Sequence, residues 1–183
     1  MKPDSVVAAV LMGLGAVALK RLFSGGMRRN SDPKEESQRR LASSQGARER
    51  DLARMADSPY PSVRLAVVRN ARASVDIVSY LASDSDQQVR AAVAASGKAS
   101  PEAQEKLAGD GRSAVRMALA RSRDTSPGVL RKLAKDGDSY VRLAVAQNFS
   151  STNDILRHLH ADPDGEVRAE SRLTLSRKIR AER

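Results

Sequence analysis

Apolar residues return in short helical groups along most of the chain, and the groups repeat at a fixed interval. Within each group they stand at i, i+3 and i+4, which places them on one face of a helix. A constant period over several copies predicts a stack of units, none of which buries its apolar face alone. A Val-Arg pair marks every copy, and successive pairs lie 26 residues apart: Val63-Arg64, Val89-Arg90, Val115-Arg116, Val141-Arg142 and Val167-Arg168.

Each copy divides into two short helices joined by a turn that is rich in Asp, Gly and Pro. Hydroxyl residues suited to N-caps precede the first helices: Ser74, Ser100, Ser126 and Thr152. The second helices end near residue types that tolerate the turn to the next unit: Asn70, Ser96, Ser122 and Asn148. The pattern predicts an all-α fold, a right-handed-type α-solenoid of about five 26-residue two-helix repeats over residues 48–183.

The two ends of the repeat region differ from its middle. In the last copy Glu170 and Ser171 replace the usual Ala and Val, so we expect them to face water, with the basic helix that follows as a cap. At the other end, residues 24–47 are predicted to form a basic linker and a capping helix. Asp32 is the expected N-cap of that helix and Pro33 its first residue.

A column of arginines and a column of aspartates share the 26-residue period, with the acidic residue six positions before the arginine. Five cations at one pitch could follow a phosphate backbone. A guanidinium also forms a forked pair with a carboxylate of its own or the neighbouring unit, and charge at a partly buried position is usually paired. We therefore predict a structural ladder that consists of Arg64, Arg90, Arg116, Arg142, Arg168, Asp84, Asp110, Asp136 and Asp162.

The same columns carry a family resemblance over about residues 48–175. The Asp-to-Arg spacing and the Val-Arg-x-Ala-Val-Ala pattern resemble HEAT-type helical repeats, although the unit is shorter. The sequence Leu-Ala-x-Asp, followed by Val-Arg-x-Ala-Val-Ala-x-Asn, is similar to the leucine-rich repeat variant family of bacteria. The best-known variant-repeat protein carries an iron–sulfur cluster on a Cys-rich segment, and this chain has no Cys. The resemblance therefore implies a binding surface rather than a reaction.

An uncharged apolar run occupies residues 6–19, just before two basic residues. Residues 3–23 would form roughly 31 Å of helix if these cations reach the lipid headgroups. We predict a single-pass anchor at residues 1–23 in an inner membrane, with the repeats in the cytoplasm because the basic residues follow the run. A cleaved signal peptide and a helix packed on the repeats or in an oligomer are the alternatives. The anchor prediction depends on Val6, Leu11, Leu14, Leu19, Lys20 and Arg21.

Composition limits the chemistry of the chain. The 32 basic and 22 acidic residues give a formal charge of +10, which favours an anionic partner such as phospholipid, nucleic acid or an acidic protein. The lack of Cys excludes disulfides, thiol catalysis and thiolate metal sites. His158 and His160 point about 200° apart on a helix and cannot chelate one metal ion. We find no motif that predicts an enzyme, a metal or a cofactor.

These observations lead to three functional hypotheses. The first is a membrane-anchored helical-repeat adaptor that binds another protein, for example as an accessory subunit of a membrane complex. The second is a nucleic-acid binder that uses cations in the turns and helix ends of successive units, namely Arg69, Arg72, Lys98, Arg121 and Arg123. The third is a module that anionic lipid holds by charge alone.

Overall fold

The computed structural model describes residues 32–181, and this part of the chain is all-α, with eleven α-helices and no strand. The prediction of an all-α fold is confirmed. A short 3-10 turn, Leu81–Ser83, extends the fourth helix. The helices are α1 (Pro33–Ala42), α2 (Glu49–Ala56), α3 (Pro61–Arg69), α4 (Val75–Tyr80), α5 (Gln87–Ala95), α6 (Pro101–Ala108), α7 (Ser113–Arg121), α8 (Pro127–Leu133), α9 (Ser139–Gln147), α10 (Asn153–Leu159) and α11 (Gly165–Ala181).

The helices from α2 onwards alternate between two layers within the compact part of the chain, Ser37–Arg183. The first helices are α2, α4, α6, α8 and α10, and the second helices are α3, α5, α7, α9 and α11; each first helix and the second helix after it form one unit. Successive second helices begin 26 residues apart and pack side by side. Successive first helices approach each other less closely.

Polar side chains define where the helices begin. The hydroxyl oxygens of Ser74, Ser100 and Ser126 accept hydrogen bonds from backbone N–H groups three residues on, which satisfies donors that a helix leaves free in its first turn. Thr152 differs, because its hydroxyl donates to the carboxylate of Asp154 and α10 begins without a side-chain cap.

The core is aliphatic and continuous from unit to unit. Two columns of residues dominate it, one on the first helices and one on the second, and none of their members is more than 5% exposed. Because burying a Leu or Val side chain contributes about 1.5–3 kcal/mol, the shared interior is the main source of stability. The two columns are Met55, Leu81, Leu107, Leu133 and Leu159, and Val63, Val89, Val115, Val141 and Val167.

The expectation for the last unit is wrong for Ser171. Its side chain is 0% exposed, and its hydroxyl donates to the backbone carbonyl of Arg168 at 2.9 Å. This position of the second helix faces its own unit, where α11 packs along α9 and α10, so it stays buried at the end of the stack. The neighbouring Glu170 is partly exposed.

The residues on which the anchor prediction depends lie outside the described part of the chain. They are Val6, Leu11, Leu14, Leu19, Lys20 and Arg21. Over residues 32–181, no helix combines the length and the apolar character that crossing a membrane requires.

Candidate functional site

The arginine of each unit lies at one edge of the stack, beside the turn between the first and second helix. Arg116 on α7 shows the geometry. Its Nε and Nη2 donate to the two carboxylate oxygens of Asp136 in the next unit, at 2.7 and 2.9 Å. Its Nη1 donates to the backbone carbonyl of Asp110 in its own unit, at 2.7 Å. One guanidinium therefore joins two successive turns.

The same arrangement recurs in three more units, and we refer to these turns as the Arg–Asp edge. The Nε–Oδ2 distance is 2.6 or 2.7 Å in every case. The sequence left open whether the carboxylate would come from the same or the neighbouring unit. It comes from the next unit, while the carbonyl comes from the arginine's own unit. The three further pairs are Arg64–Asp84, Arg90–Asp110 and Arg142–Asp162.

These pairs lie mostly out of contact with water. The Arg64 side chain is 11% exposed and that of Asp84 is 3% exposed. The hydrogen bond from Arg90 lowers the pKa of the Asp110 carboxyl, against the opposing effect of burial. Burial raises the pKa of Asp84, but the hydrogen bonds from Arg64 and from the backbone N–H of Asp86 leave it below its ordinary value. The carboxylates are thus charged at neutral pH.

The Arg–Asp edge changes at both ends. In the first unit an uncharged pair takes the place of the ion pair, since the Ser58 hydroxyl donates to Gln38 Oε1 at 2.8 Å. In the last unit Arg168 Nη1 donates to the carbonyls of Asp162 and Pro163, at 2.7 and 2.8 Å. Arg168 has no carboxylate partner among residues 32–181. The predicted ladder residues are therefore brought together except at Arg168.

The opposite edge, at the turns between units, is connected by a different set of donors, and we refer to it as the inter-unit edge. Asn148 Nδ2 donates to the carbonyls of Ala120 and Ser122 in the preceding unit, at 2.7 and 2.8 Å. Asn70 Nδ2 reaches back to Ala42 and Ser44 in the same way, at 2.6 and 3.0 Å. These carbonyls lie at helix ends, where intrahelical partners are missing.

The two asparagines do not adopt a left-handed backbone conformation. Asn70 has φ −72° and Asn148 has φ −76°, and the only positive φ among the described residues is that of Gly97, at 70°. Sequence reasoning saw the asparagines as local turn formers. Their amides instead connect neighbouring units, and nothing in a single copy of the repeat indicates that role.

Lysines replace the asparagine amide in two units. Lys98 Nζ donates to the carbonyls of Asn70, Ala71 and Ala73, at 3.0, 2.9 and 3.1 Å. Lys178 Nζ on α11 donates to the carbonyls of residues 149 and 151, at 3.1 and 2.6 Å. Lys98 was predicted as a possible contact for an anionic partner. Its ammonium group is instead occupied by three backbone carbonyls of the preceding unit.

The outward side of the second helices forms a third feature, the second-helix face. One half-buried apolar residue per unit packs on the core and lies at the same register of each helix: Leu65, Ala91, Met117 and Leu143. One turn further along their helices, the side chains of Arg69 and Arg121 are exposed. These two arginines have no ion-pair partner among residues 32–181.

Grooves cross this face, one between α1 and α3 and two between adjacent second helices. The first, of about 470 Å³, is lined by Arg39, Leu65 and Arg69, among others. A second, of about 340 Å³, lies between α3 and α5 and also includes Arg69. A third, of about 350 Å³, lies between α7 and α9 and contains Met117, Arg121 and the exposed Tyr140.

The other predicted anionic contacts do not form a continuous row. Arg123 is exposed, and Arg72 Nη1 donates to the carbonyl of Gln45 at 3.5 Å. Gln147 stands at the register of Arg69 and Arg121, and Asp124 stands at the register of Arg72 and Lys98. A phosphate backbone that crossed the units would therefore meet cations only at intervals.

In comparisons with known proteins, no family model, no curated protein and no solved structure matches the chain. Within residues 32–181, no group of three or more His, Cys, Asp or Glu is placed to hold a metal ion. His158 is exposed, and the Nε2 atom of His160 is buried without a hydrogen-bond partner. The function must therefore be argued from the two edges and the second-helix face.

Proposed function

We propose that the chain is a membrane-anchored α-solenoid adaptor of the HEAT-like or leucine-rich repeat variant type, and that it binds another protein on its second-helix face. The observation that carries the proposal is a division of roles between surfaces. The polar groups of both edges are used within the stack, whereas the second-helix face combines half-buried apolar side chains with exposed arginines that have no ion-pair partner among the described residues.

The composition of this face supports protein binding. Interface centres are enriched in aromatic residues, Met and Arg, and depleted in Lys and acidic residues. Met117, Tyr140 and Arg121 lie together in the groove between α7 and α9. The face also extends over several units at a constant register, which suits a partner that contacts more than one unit.

Photo-crosslinking in living cells tests the docking surface. A photoreactive amino acid replaces Met117 on the second-helix face, and a matched variant carries it at Arg157, which is exposed on a first helix. We expect a discrete adduct of higher mass from position 117 and none from position 157. Adducts from position 157 alone, or from neither position, would contradict the proposal.

The membrane anchor is proposed on the apolar run at residues 6–19, which lies outside the described residues. Carbonate extraction of cell membranes tests it on the full chain. We expect the wild type to stay with the membrane and a variant with Leu11→Arg and Leu14→Arg to be released. The control is Leu173→Arg, at an apolar residue that is 50% exposed on α11, and it should stay with the membrane. Release of the wild type would refute the anchor.

Nucleic-acid binding is the second candidate, because Arg69, Arg121 and Arg123 are exposed in helix ends and turns of the repeated units. Contacts to phosphates would make the affinity fall steeply as salt rises. A gel-shift titration with duplex DNA at low and high salt tests this candidate. If no shift occurs at low salt, nucleic-acid binding is excluded.

A further inference from the structure

We infer that the partner presents an acidic, amphipathic segment to the second-helix face, with its apolar side chains on the column of Leu65, Ala91, Met117 and Leu143 and its carboxylates at Arg69 and Arg121. The inference rests on the proposed function and goes beyond it, because it names the chemistry of the bound segment. It draws on three features of the second helices α3, α5, α7 and α9: their lack of acidic residues, the unpaired Arg69 and Arg121, and their apolar column.

The first feature is that no acidic residue occurs in α3, α5, α7 or α9. Asp86 and Asp138 stand at the N-caps of α5 and α9, where they accept hydrogen bonds from backbone N–H groups. Arg69 and Arg121 are the last residues of α3 and α7, so the positive charge there is not balanced by an acidic residue of the same helix. Complementary charge on a partner would favour binding at this position.

The second feature is a contrast with two exposed cations of the first helices, which have acidic partners on the neighbouring unit. Arg131 pairs with Asp154 at 3.0 Å, and Lys132 pairs with Glu105 at 3.2 Å. The groove with Arg39 and Arg69 has no carboxylate among its lining residues. In the groove with Arg121 the acid is Asp138, whose carboxylate accepts a hydrogen bond from the backbone N–H of Tyr140 as the N-cap of α9. Arg131 and Lys132 therefore have a carboxylate partner that Arg69 and Arg121 lack among the described residues.

The third feature is the apolar column itself. Its four residues, one in each of α3, α5, α7 and α9, are all uncharged. The exposed Tyr140 lies beside Met117 in one groove. A polyanion without apolar groups would leave this column in water. A segment with apolar residues on one side and carboxylates beside them would cover both parts of the face, and removal of the apolar surface from water would favour the complex.

Peptide binding to the full chain tests the inference directly. The probe is a fluorescein-labelled synthetic peptide of about five helical turns in which Leu and Glu recur at helical spacing. In a control peptide each Glu is replaced with Gln. By fluorescence anisotropy, we expect the acidic peptide to bind at least tenfold more tightly than the Gln peptide. Equal affinities would overturn the inference.

Paired charge reversals locate the binding site. Arg69→Glu with Arg121→Glu should weaken binding of the acidic peptide at least tenfold. The matched control reverses Arg54 and Arg157, two exposed arginines on first helices, and should change the affinity less than twofold. All four positions are exposed, so each variant should unfold at the wild-type temperature. An equal loss of binding in both variants would mean general charge attraction and would refute the site.

The apolar contribution has its own matched pair. Tyr140 is 68% exposed on the second-helix face, and Tyr80 is 63% exposed on a first helix. Tyr140→Ser should weaken binding of the acidic peptide about threefold or more, whereas Tyr80→Ser should leave it unchanged. If polyglutamate or duplex DNA binds as tightly as the amphipathic peptide, the face is a simple anion site and the inference is wrong.

These results separate the inference from the proposed function. A crosslink from position 117 in cells, together with no preference for the acidic peptide, would keep the docking surface and refute the acidic partner. Loss of both the crosslink and the peptide binding would refute both.

Discussion

The Arg–Asp edge and the inter-unit edge connect the same neighbouring units with different chemistry. At the Arg–Asp edge both partners are side chains, and four units repeat the same ion pair. At the inter-unit edge the acceptors are backbone carbonyls, which every sequence supplies. A single donor of sufficient reach is enough there, so an Asn amide and a Lys ammonium serve equally well. The comparison explains why one edge is uniform in sequence and the other varies.

The two edges should also fail differently. Removal of a carboxylate from the Arg–Asp edge leaves a charged guanidinium mostly shielded from water and without its partner. Removal of a donor from the inter-unit edge leaves neutral carbonyls unpaired, which costs less. Substitutions at the first edge should therefore have the larger effect.

The largest effect is expected from Asp136→Ala. Arg116 would lose both hydrogen bonds to a carboxylate, and we expect the free energy of unfolding to fall by about 3 kcal/mol, as measured by urea denaturation. The control is Asp154→Ala, which removes the acidic partner of a fully exposed pair and should have a much smaller effect. Equal losses of unfolding free energy in the two variants would mean that the shielded pair Arg116–Asp136 stabilises the protein no more than the exposed pair does.

A somewhat smaller loss is expected from Asn148→Ala. The carbonyls of Ala120 and Ser122 would lose their donor at a buried position, which should cost about 2 kcal/mol. The neighbouring Gln147→Ala, at an exposed residue, should stay within about 0.5 kcal/mol of the wild type in the same urea titration. The inter-unit edge would be unimportant if the two variants were equally stable.

Lys98→Met should lower the free energy of unfolding by about 1 kcal/mol. The apolar part of the side chain is kept, and only the hydrogen bonds from the ammonium group to three carbonyls are lost. Thermal or urea unfolding measures the change, with Lys135→Met at an exposed position as the control. If Lys98→Met leaves the stability unchanged but weakens binding of the acidic peptide, Lys98 contacts the partner and does not connect the units.

The smallest expected effect is a difference between the two edges in how their contribution to stability depends on pH. Burial raises the pKa of the Asp136 carboxyl, but the hydrogen bonds from Arg116 and from the backbone N–H of Asp138, with the charges of the neighbouring arginines, leave it below its ordinary value of 3.8. Its contribution to stability is then complete above about pH 5 and is lost as the pH falls below 3.8 towards the folded-state pKa.

In urea titrations, the deficit of Asp136→Ala relative to the wild type should therefore shrink by up to about 1 kcal/mol between pH 7 and pH 3. The deficit of Asn148→Ala should stay constant, since an amide does not titrate. A deficit that grows on acidification in Asp136→Ala would have the wrong sign for this explanation.

Much of the fold could be predicted from the sequence because each unit repeats the same local signals. The apolar spacing and the Ser caps define the helices, and the constant period places successive Val-Arg pairs at equivalent positions. The register of the arginine and aspartate columns was equally visible. The unit that supplies the carboxylate could not be predicted. An Asp six residues before the Arg and an Asp 20 residues after it both lie near the Arg side chain.

The inter-unit edge escaped prediction for a physical reason. Its acceptors are backbone atoms, which carry no sequence signal, and its donors change between Asn70, Lys98 and Asn148. The buried Ser171 escaped for a similar reason, since its hydroxyl is satisfied by a carbonyl of its own helix. The apolar column of the second-helix face was not predicted, because it occupies the variable position that follows the Val-Arg pair; its half-buried side chains separate it from the interior.

A double-mutant cycle tests most directly whether the arginines connect neighbouring units. Arg116→Ala is combined with Asp136→Ala of the next unit in one cycle and with Asp110→Ala of its own unit in another, and all stabilities are measured by urea denaturation. We predict a coupling energy of about 1.5 kcal/mol or more between Arg116 and Asp136, and close to zero between Arg116 and Asp110, whose carbonyl rather than carboxylate receives the bond. Strong coupling to Asp110 with none to Asp136 would contradict the account.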